Sequence, residues 1–179
     1  MNFYKVGWEQ LEDDCFKLYQ KIKNLHFDRI LCVSRGGLVW SRMFSDLLGN
    51  LPVSNLSIES YTVFEQQKQT RITEKPQKKF KNEIILAVDE IFDTGKTLKT
   101  IIDYLRSLNL KKFYILAPYI KSHTSPLPDF YLKKVDAWVI FPYELQETYT
   151  AFLKIYKTAK KAKQILQKYG FDQWKIESL

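Results

Sequence analysis

Cysteine, glycine and long apolar runs are all scarce in this chain of 179 residues, and each scarcity excludes something. The two cysteines, Cys15 and Cys32, sit in apolar patterns with no C-x-x-C or metal-ligand spacing, so neither a disulfide framework nor a zinc cluster is expected. They read as buried free thiols of a chain working in a reducing cytoplasm. The longest apolar run near any motif, Ile84 to Val88, falls far short of the roughly 20 residues that span a bilayer, so no transmembrane segment is expected. The first residues are polar and soon acidic (Glu12, Asp13, Asp14), unlike a signal peptide. With only six glycines, the places where glycines adjoin carry information.

What is present describes a folded domain. Hydrophobic residues make up 45% and charged residues 27%, which favours a packed core over disorder. The net charge of +8 suits an anionic substrate, a nucleic acid or an acidic membrane surface and does not choose among them. Trp8, Leu11, Cys15, Leu18, Ile22 and Leu25 recur at helical spacing. Arg29 to Ser34 reads as a buried strand, stopped by Arg35-Gly36-Gly37. A helix then carries Leu38, Val39, Met43, Leu47 and Leu48 and is closed by Gly49. A strand from Val53 ends near Tyr61. Residues 62 to 82 are polar and basic without apolar rhythm, which predicts a long mobile loop. Glu83 to Val88 is the clearest buried strand, followed by a helix from Thr97 through Leu108. Lys112 to Ile120 and Ala137 to Phe141 read as fourth and fifth strands, and Glu147 to Tyr169 as a final helix. Strands alternating with helices predict an α/β domain with a largely parallel, twisted sheet flanked by helices. Ligands bind beyond the carboxyl ends of such strands.

The chemistry concentrates in Val88-Asp89-Glu90-Ile91-Phe92-Asp93-Thr94-Gly95-Lys96-Thr97. Gly95 permits a tight turn and close approach of backbone to a ligand. The amides from Thr94 to Thr97 then point outward at a helix N-terminus, where free N–H groups and the helix dipole favour phosphate. Thr94 and Thr97 add hydroxyl donors and Lys96 adds charge. Asp89 and Glu90, just upstream, can accept hydrogen bonds from ribose hydroxyls or help hold Mg²⁺. Phosphate donors and sugar acceptors a few residues apart describe a site for a ribose 5-phosphate. Gly95-Lys96-Thr97 is not a P-loop, because Glu90 stands where the second glycine would be required. The plainer alternative is an N-capped helix with surface acids before it. Ser34-Arg35-Gly36-Gly37 forms a second turn after a strand, whose N–H groups could make an anion-binding nest; taken alone it is more often only a turn.

The segment from Val88 to Thr97 resembles the motif of the type I phosphoribosyltransferases that binds 5-phosphoribosyl-1-pyrophosphate (PRPP): a hydrophobic strand, two acids, two apolar residues, then Asp-Thr-Gly-x-Thr. The resemblance spans roughly residues 6 to 144. It implies that Asp89 and Glu90 bind the ribose hydroxyls and Mg²⁺, with Glu90 standing where Asp is commoner. It implies that Asp93 is the catalytic group, near the purine N7, and that Asp93, Thr94, Gly95, Lys96 and Thr97 hold the 5-phosphate. Ser34, Arg35, Gly36 and Gly37 match the pyrophosphate loop of the xanthine–guanine branch residue for residue. Trp40 departs from the small residues or proline usual beyond that loop.

Ser60 and Tyr61 open the expected loop as a Ser-Tyr pair does in relatives whose loop covers the reacting centre. Arg71 either reaches the pyrophosphate from that loop or is a solvated charge. Lys121 ends the fourth strand, where purine enzymes of the family carry a lysine that donates to the exocyclic oxygen. Asp136 to Glu144 resembles the family's Trp-hydrophobic-x-x-Pro segment. That assigns Trp138 to stacking on the base and the Val139 backbone to reading its edge; a core aromatic is the alternative for Trp138. Tyr143 replaces the family's second Trp.

The expectation is therefore a type I phosphoribosyltransferase-like domain over 1–146 with a C-terminal helical extension of the same domain over 147–179. Its implied reaction converts PRPP and a 6-oxopurine (guanine, xanthine or hypoxanthine) into the nucleoside monophosphate and pyrophosphate, with Mg²⁺, in the cytoplasm, without nucleic acid. Two rivals are a PRPP-binding regulator of nucleic acid, which need not keep Lys121 and Trp138, and a pyrimidine phosphoribosyltransferase. The apolar stripe Phe152, Tyr156, Ala159, Ala162, Leu166 and Tyr169 either packs on its own domain or joins subunits of a homo-oligomer. Lys154, Lys157, Lys161 and Lys168 crowd the other side of that helix, though its apolar face is thin for a membrane surface.

Overall fold

The structure is a computed structural model that describes residues 2–63 and 67–179, with side chains at 60–69 outside the description. In chain order the elements are β1 (Phe3–Lys5), α1 (Trp8–Ile22), β2 (Arg29–Ser34), α2 (Leu38–Leu47), β3 (Val53–Val63), β4 (Gln67–Glu74), β5 (Ile84–Val88) and β6 (Ile91–Phe92). There follow α3 (Lys96–Arg106), β7 (Lys112–Leu116), β8 (Tyr119–Ile120), β9 (Lys133–Lys134), β10 (Trp138–Ile140), α4 (Leu145–Tyr156), α5 (Ala159–Lys168) and α6 (Gln173–Glu177). Two compact units result, Glu12–Lys134 and Met1–Leu11 with Val135–Leu179. No helix among the described residues is long and apolar enough to cross a membrane.

The larger unit holds a five-stranded sheet in the order β4-β3-β2-β5-β7, in which β2, β3, β5 and β7 run parallel and β4 is antiparallel at the edge. The unbroken apolar runs of β2 and β5 are what a parallel strand covered on both faces demands, and Ile30, Leu31, Leu86 and Val88 are fully buried. On α3, Leu98, Ile101 and Leu105 bury one stripe against Leu31, Val33, Ala87 and Ile115. Each such side chain contributes roughly 1.5–3 kcal/mol. A second, three-stranded parallel sheet, β6-β8-β9, extends from the end of β5.

Trp40 has a structural role: it is fully buried and meets Tyr119 edge-on, with centroids 6.4 Å apart and planes at 83°. The Tyr119 hydroxyl donates to Asp14 Oδ2 at 2.6 Å, and Lys133 Nζ donates to both Asp14 oxygens at 3.0 and 3.2 Å. The buried Asp14 carboxylate thus has its partners, as a charge out of water requires. In the smaller unit β1 pairs in parallel with β10, and Phe3 joins Ile140, Phe152, Leu166, Phe171 and Ile176 in a second core.

Four expectations are corrected. The stretch 62–82 is not one long loop, because Gln67–Glu74 is a strand paired with β3, Glu59 opposite Arg71 and Ser60 opposite Thr70. An edge strand can be polar on both faces, and among the described side chains of this one Ile72 packs on the core, so alternation gave no signal. The fourth strand divides at Ala117-Pro118 into β7 and β8, which lie in different sheets. The fifth strand pairs with β1, outside the main sheet. The final helix is two helices: Lys157 turns left-handed at φ 64°, and Thr158 caps α5 by accepting from Lys161 N at 3.3 Å. Along the apolar patterns, Trp8 and Leu38 are exposed rather than buried.

Candidate active site

Two turns from separate strand–turn–helix units meet at the carboxyl ends of β2 and β5. Their neighbourhood follows from the β2–β5 register, which aligns Cys32 with Val88. Ser34 ends β2, and its hydroxyl lies 2.9 Å from that of Ser57 on β3. Ser57 is held in turn by Asn55 Nδ2 at 3.1 Å and by Glu74 Oε2 at 3.0 Å. An added Cβ at Gly37 would stand 2.2 Å from the Val88 carbonyl oxygen and 2.8 Å from that of Val33, both backbone, so only glycine fits. At Gly36 it would meet Glu90 Oε1 at 2.5 Å, which sets the Ser34–Gly37 turn directly against the second acid.

Asp89 follows β5 and is 8% exposed; its Oδ1 accepts from the Glu90 amide at 2.8 Å. Burial pushes its carboxyl up to about 7, against the smaller opposing effect of that hydrogen bond. Asp93, Thr94 and Gly95 then turn into α3. Gly95 has φ +85°, and a Cβ there would lie 2.0 Å from the Ser125 carbonyl oxygen. The N-cap of α3 is Gly95, which has no side chain to offer, and the Lys96 amide donates to Thr94 Oγ1 at 3.4 Å; a helix N-terminus of this kind favours an anion.

Lys121 is distant in sequence but arrives beside this turn. The β6–β8 ladder pairs Phe92 with Ile120, so Lys121 follows in step with Asp93, and its amide donates to the Phe92 carbonyl at 3.1 Å. Thr124, 5% exposed, locks the arrangement. Its hydroxyl donates to the carbonyls of Phe92 and Asp93, at 2.8 and 2.5 Å, and accepts from the Lys121 amide at 2.9 Å. His123 Nε2 lies 2.7 Å from Asp93 Oδ1. Sequence reasoning missed Ser57, His123 and Thr124. His123 is one of only two histidines and stands two residues beyond Lys121, which was the available signal.

The structure therefore brings together Ser34, Arg35, Gly36, Gly37, Asp89, Glu90, the Asp93–Thr97 turn and Lys121. It places Arg71 on β4 with its guanidinium 3.5 Å from Glu59, both side chains well exposed, an ion pair of small energetic weight. The side chains of Ser60 and Tyr61 lie outside the described residues. Trp138 and Val139 belong to β10 of the smaller unit. Trp138 is 38% exposed and tilted against Phe3, so it is not a core aromatic, whereas Val139 is buried.

The carboxylates suit a hard cation. Mg²⁺ is usually held by one or two carboxylates and completed by substrate phosphates and water. Asp89 and Glu90 supply that number, and no group of three or more His, Cys, Asp or Glu side chains placed to hold a metal occurs among the described residues.

A largely parallel sheet thus carries at its carboxyl edge a glycine turn opening a helix, paired acids before it and a second glycine turn beside them. The chain belongs to the phosphoribosyl transferase domain family, whose model matches residues 7–148. It is 28% identical over 155 residues to a xanthine-guanine phosphoribosyltransferase of Cereibacter sphaeroides, covering 82% of this chain and 89% of the relative. The same identity holds over 149 residues to the xanthine-guanine phosphoribosyltransferase of Gluconobacter oxydans, with 80% and 86% covered. Among solved structures, a purine phosphoribosyltransferase from Pyrococcus horikoshii superposes with a TM-score of 0.73 at 29% identity, over 80% of this chain and 94% of the other.

Proposed function

We propose that this protein transfers the 5-phosphoribosyl group of PRPP to a 6-oxopurine base (guanine, xanthine or hypoxanthine), giving the nucleoside monophosphate and pyrophosphate. The observation that carries the reading is the contact of Gly36 with Glu90, which sets a second anion-binding turn against the acids that precede the phosphate turn. The similarity to xanthine-guanine enzymes of two organisms supports the choice of a purine.

In this reading the turn from Asp93 to Thr97 holds the 5-phosphate, and Ser34 to Gly37 hold the pyrophosphate. Gripping both ends fixes C1′ between them, which supplies much of the rate as positioning. Asp89 and Glu90 receive the ribose hydroxyls. They would also hold Mg²⁺, which when bound neutralises and orients the leaving pyrophosphate. Lys121 donates to the 6-oxo oxygen. Trp138 is assigned to stacking and the Val139 backbone to reading the base edge on the strength of their sequence segment. Asp93 accepts the N7 proton as N9 attacks C1′, and water must be kept from the cation-like C1′ itself. Ser60 and Tyr61 are assigned to covering the reacting centre and Arg71 to reaching the pyrophosphate.

We further propose a cytoplasmic homo-oligomer that takes PRPP and a free base and no nucleic acid, with 147–179 a helical extension of the domain formed by 1–146. The stripe residues Phe152, Ala162 and Leu166 are buried within their own unit, so any subunit contact uses other surfaces of these helices. Incubation with PRPP, Mg²⁺ and each base should give the nucleotide and pyrophosphate in equal amounts. Product with orotate or uracil but not with purines would refute the purine assignment. PRPP-dependent nucleic-acid binding without turnover would refute the enzyme.

A further inference from the structure

The exposed turn after β8 meets the phosphate turn at more than one point. Thr124 bonds to the carbonyls of Phe92 and Asp93, Gly95 packs against the Ser125 carbonyl, and between these anchors His123 Nε2 sits 2.7 Å from Asp93 Oδ1. A histidine on a surface turn is ordinarily a solvated side chain. This one is directed at the carboxylate assigned to the chemistry, on a backbone that Thr124 fastens to that of Asp93.

We propose that His123 is a positioning residue for purine ribosylation: its Nε2–H donates to Asp93 Oδ1 and turns Oδ2 toward the base. The inference rests on the assignment of Asp93 to the N7 proton. An aspartate on a turn can rotate about its side-chain bonds, and a fixed donor on one oxygen selects the orientation in which the other is presented. The proton balance is complete. The lone pair of N9 forms the bond to C1′ while the C1′–O pair leaves with pyrophosphate. The N7–H bond breaks with its electron pair remaining on the ring, and the proton passes to Oδ2. Both side chains of the pair are more than half exposed, 62% for His123 and 64% for Asp93, so the proton leaves Asp93 to water. Thr124 serves the same end through the backbone, since its hydroxyl ties the turn bearing Lys121 to the turn bearing Asp93.

The test compares His123→Ala, His123→Gln and Asp93→Asn in the full chain, by steady-state kinetics with hypoxanthine or guanine at saturating Mg²⁺. A glutamine amide can place an N–H close to where Nε2 stands. His123→Ala should lower kcat about tenfold or more while the KM for PRPP stays within about twofold, and His123→Gln should recover most of the loss. In the Asp93→Asn background, His123→Ala should add nothing further. If Asp93→Asn lowers kcat and His123→Ala does not, the positioning role is overturned while the Asp93 assignment stands. A further loss from His123→Ala on top of Asp93→Asn also overturns it, because His123 then acts independently. Near wild-type turnover in Asp93→Asn overturns the assignment of Asp93 itself, and the positioning role with it.

Discussion

Asp89→Asn should make the ligand-free protein more stable as pH rises while removing its affinity for Mg²⁺ and PRPP. The carboxyl is 8% exposed, and burial lifts it from its ordinary 3.8 to about 7. A carboxyl raised in the folded state favours folding when protonated. Its contribution is therefore fully present below pH 4, where the unfolded chain also holds the proton, and is lost as pH rises through about 7. Linkage with these two values gives a loss of about 2–3 kcal/mol between pH 5 and pH 8 for the wild type relative to Asp89→Asn. The asparagine oxygen can still accept from the Glu90 amide. Any cost of burying the new NH₂ is the same at every pH, so the pH dependence isolates the carboxyl.

For a chain of this size the difference corresponds to roughly 5–10 °C in Tm. The assay is thermal or urea denaturation of both proteins at several pH values from 5 to 8.5, without ligand and then with Mg²⁺ and PRPP. Ligand should stabilise the wild type at pH 8 and leave Asp89→Asn almost unmoved. Parallel stability curves for the two ligand-free proteins would refute the reasoning, because the carboxylate would then be solvated.

Lys121→Ala should reduce kcat/KM for 6-oxopurines by on the order of 1.5–3 kcal/mol, the weight of a hydrogen bond to a charged donor, with little change in KM for PRPP; equal losses for both substrates would count against base recognition. Gly95→Ala combines a φ of +85° with a Cβ only 2.0 Å from the Ser125 carbonyl oxygen, so calorimetry should show PRPP binding weakened at least tenfold and denaturation a loss of about 2 kcal/mol or more. Both thiols should resist a disulfide reagent at pH 8 in the native protein and react after denaturation, since burial pushes Cys15 up to about 12 and raises Cys32 as well; rapid native labelling would contradict their burial.

Both turns at the carboxyl ends of β2 and β5 were legible in the sequence because each is contiguous. A hydrophobic strand, a turn and a helix start occupy adjacent residues around Ser34–Gly37 and again around Asp89–Thr97. The parallel α/β class was legible for a similar reason, since β2 and β5 are apolar runs that only a doubly covered strand tolerates. The pairing of β3 with β4 was not. A polar edge strand carries no period, and its hydrogen bonds, not its side chains, make it a strand.

Tertiary structure alone decided what stands around Asp93. The ladder of β6 with β8 carries Lys121 to the Asp93–Thr97 turn across 28 residues of chain, and no local pattern encodes that pairing. Thr124 and His123 acquire their partners only because that register is set: a threonine and a histidine on a turn look solvated until a distant backbone arrives within hydrogen-bond reach. The anchoring of Ser34 through Ser57 to Glu74 depends likewise on β3 lying between β2 and β4. Motifs made within one turn of chain are written in consecutive residues, whereas contacts between strands depend on register, which the whole sheet determines.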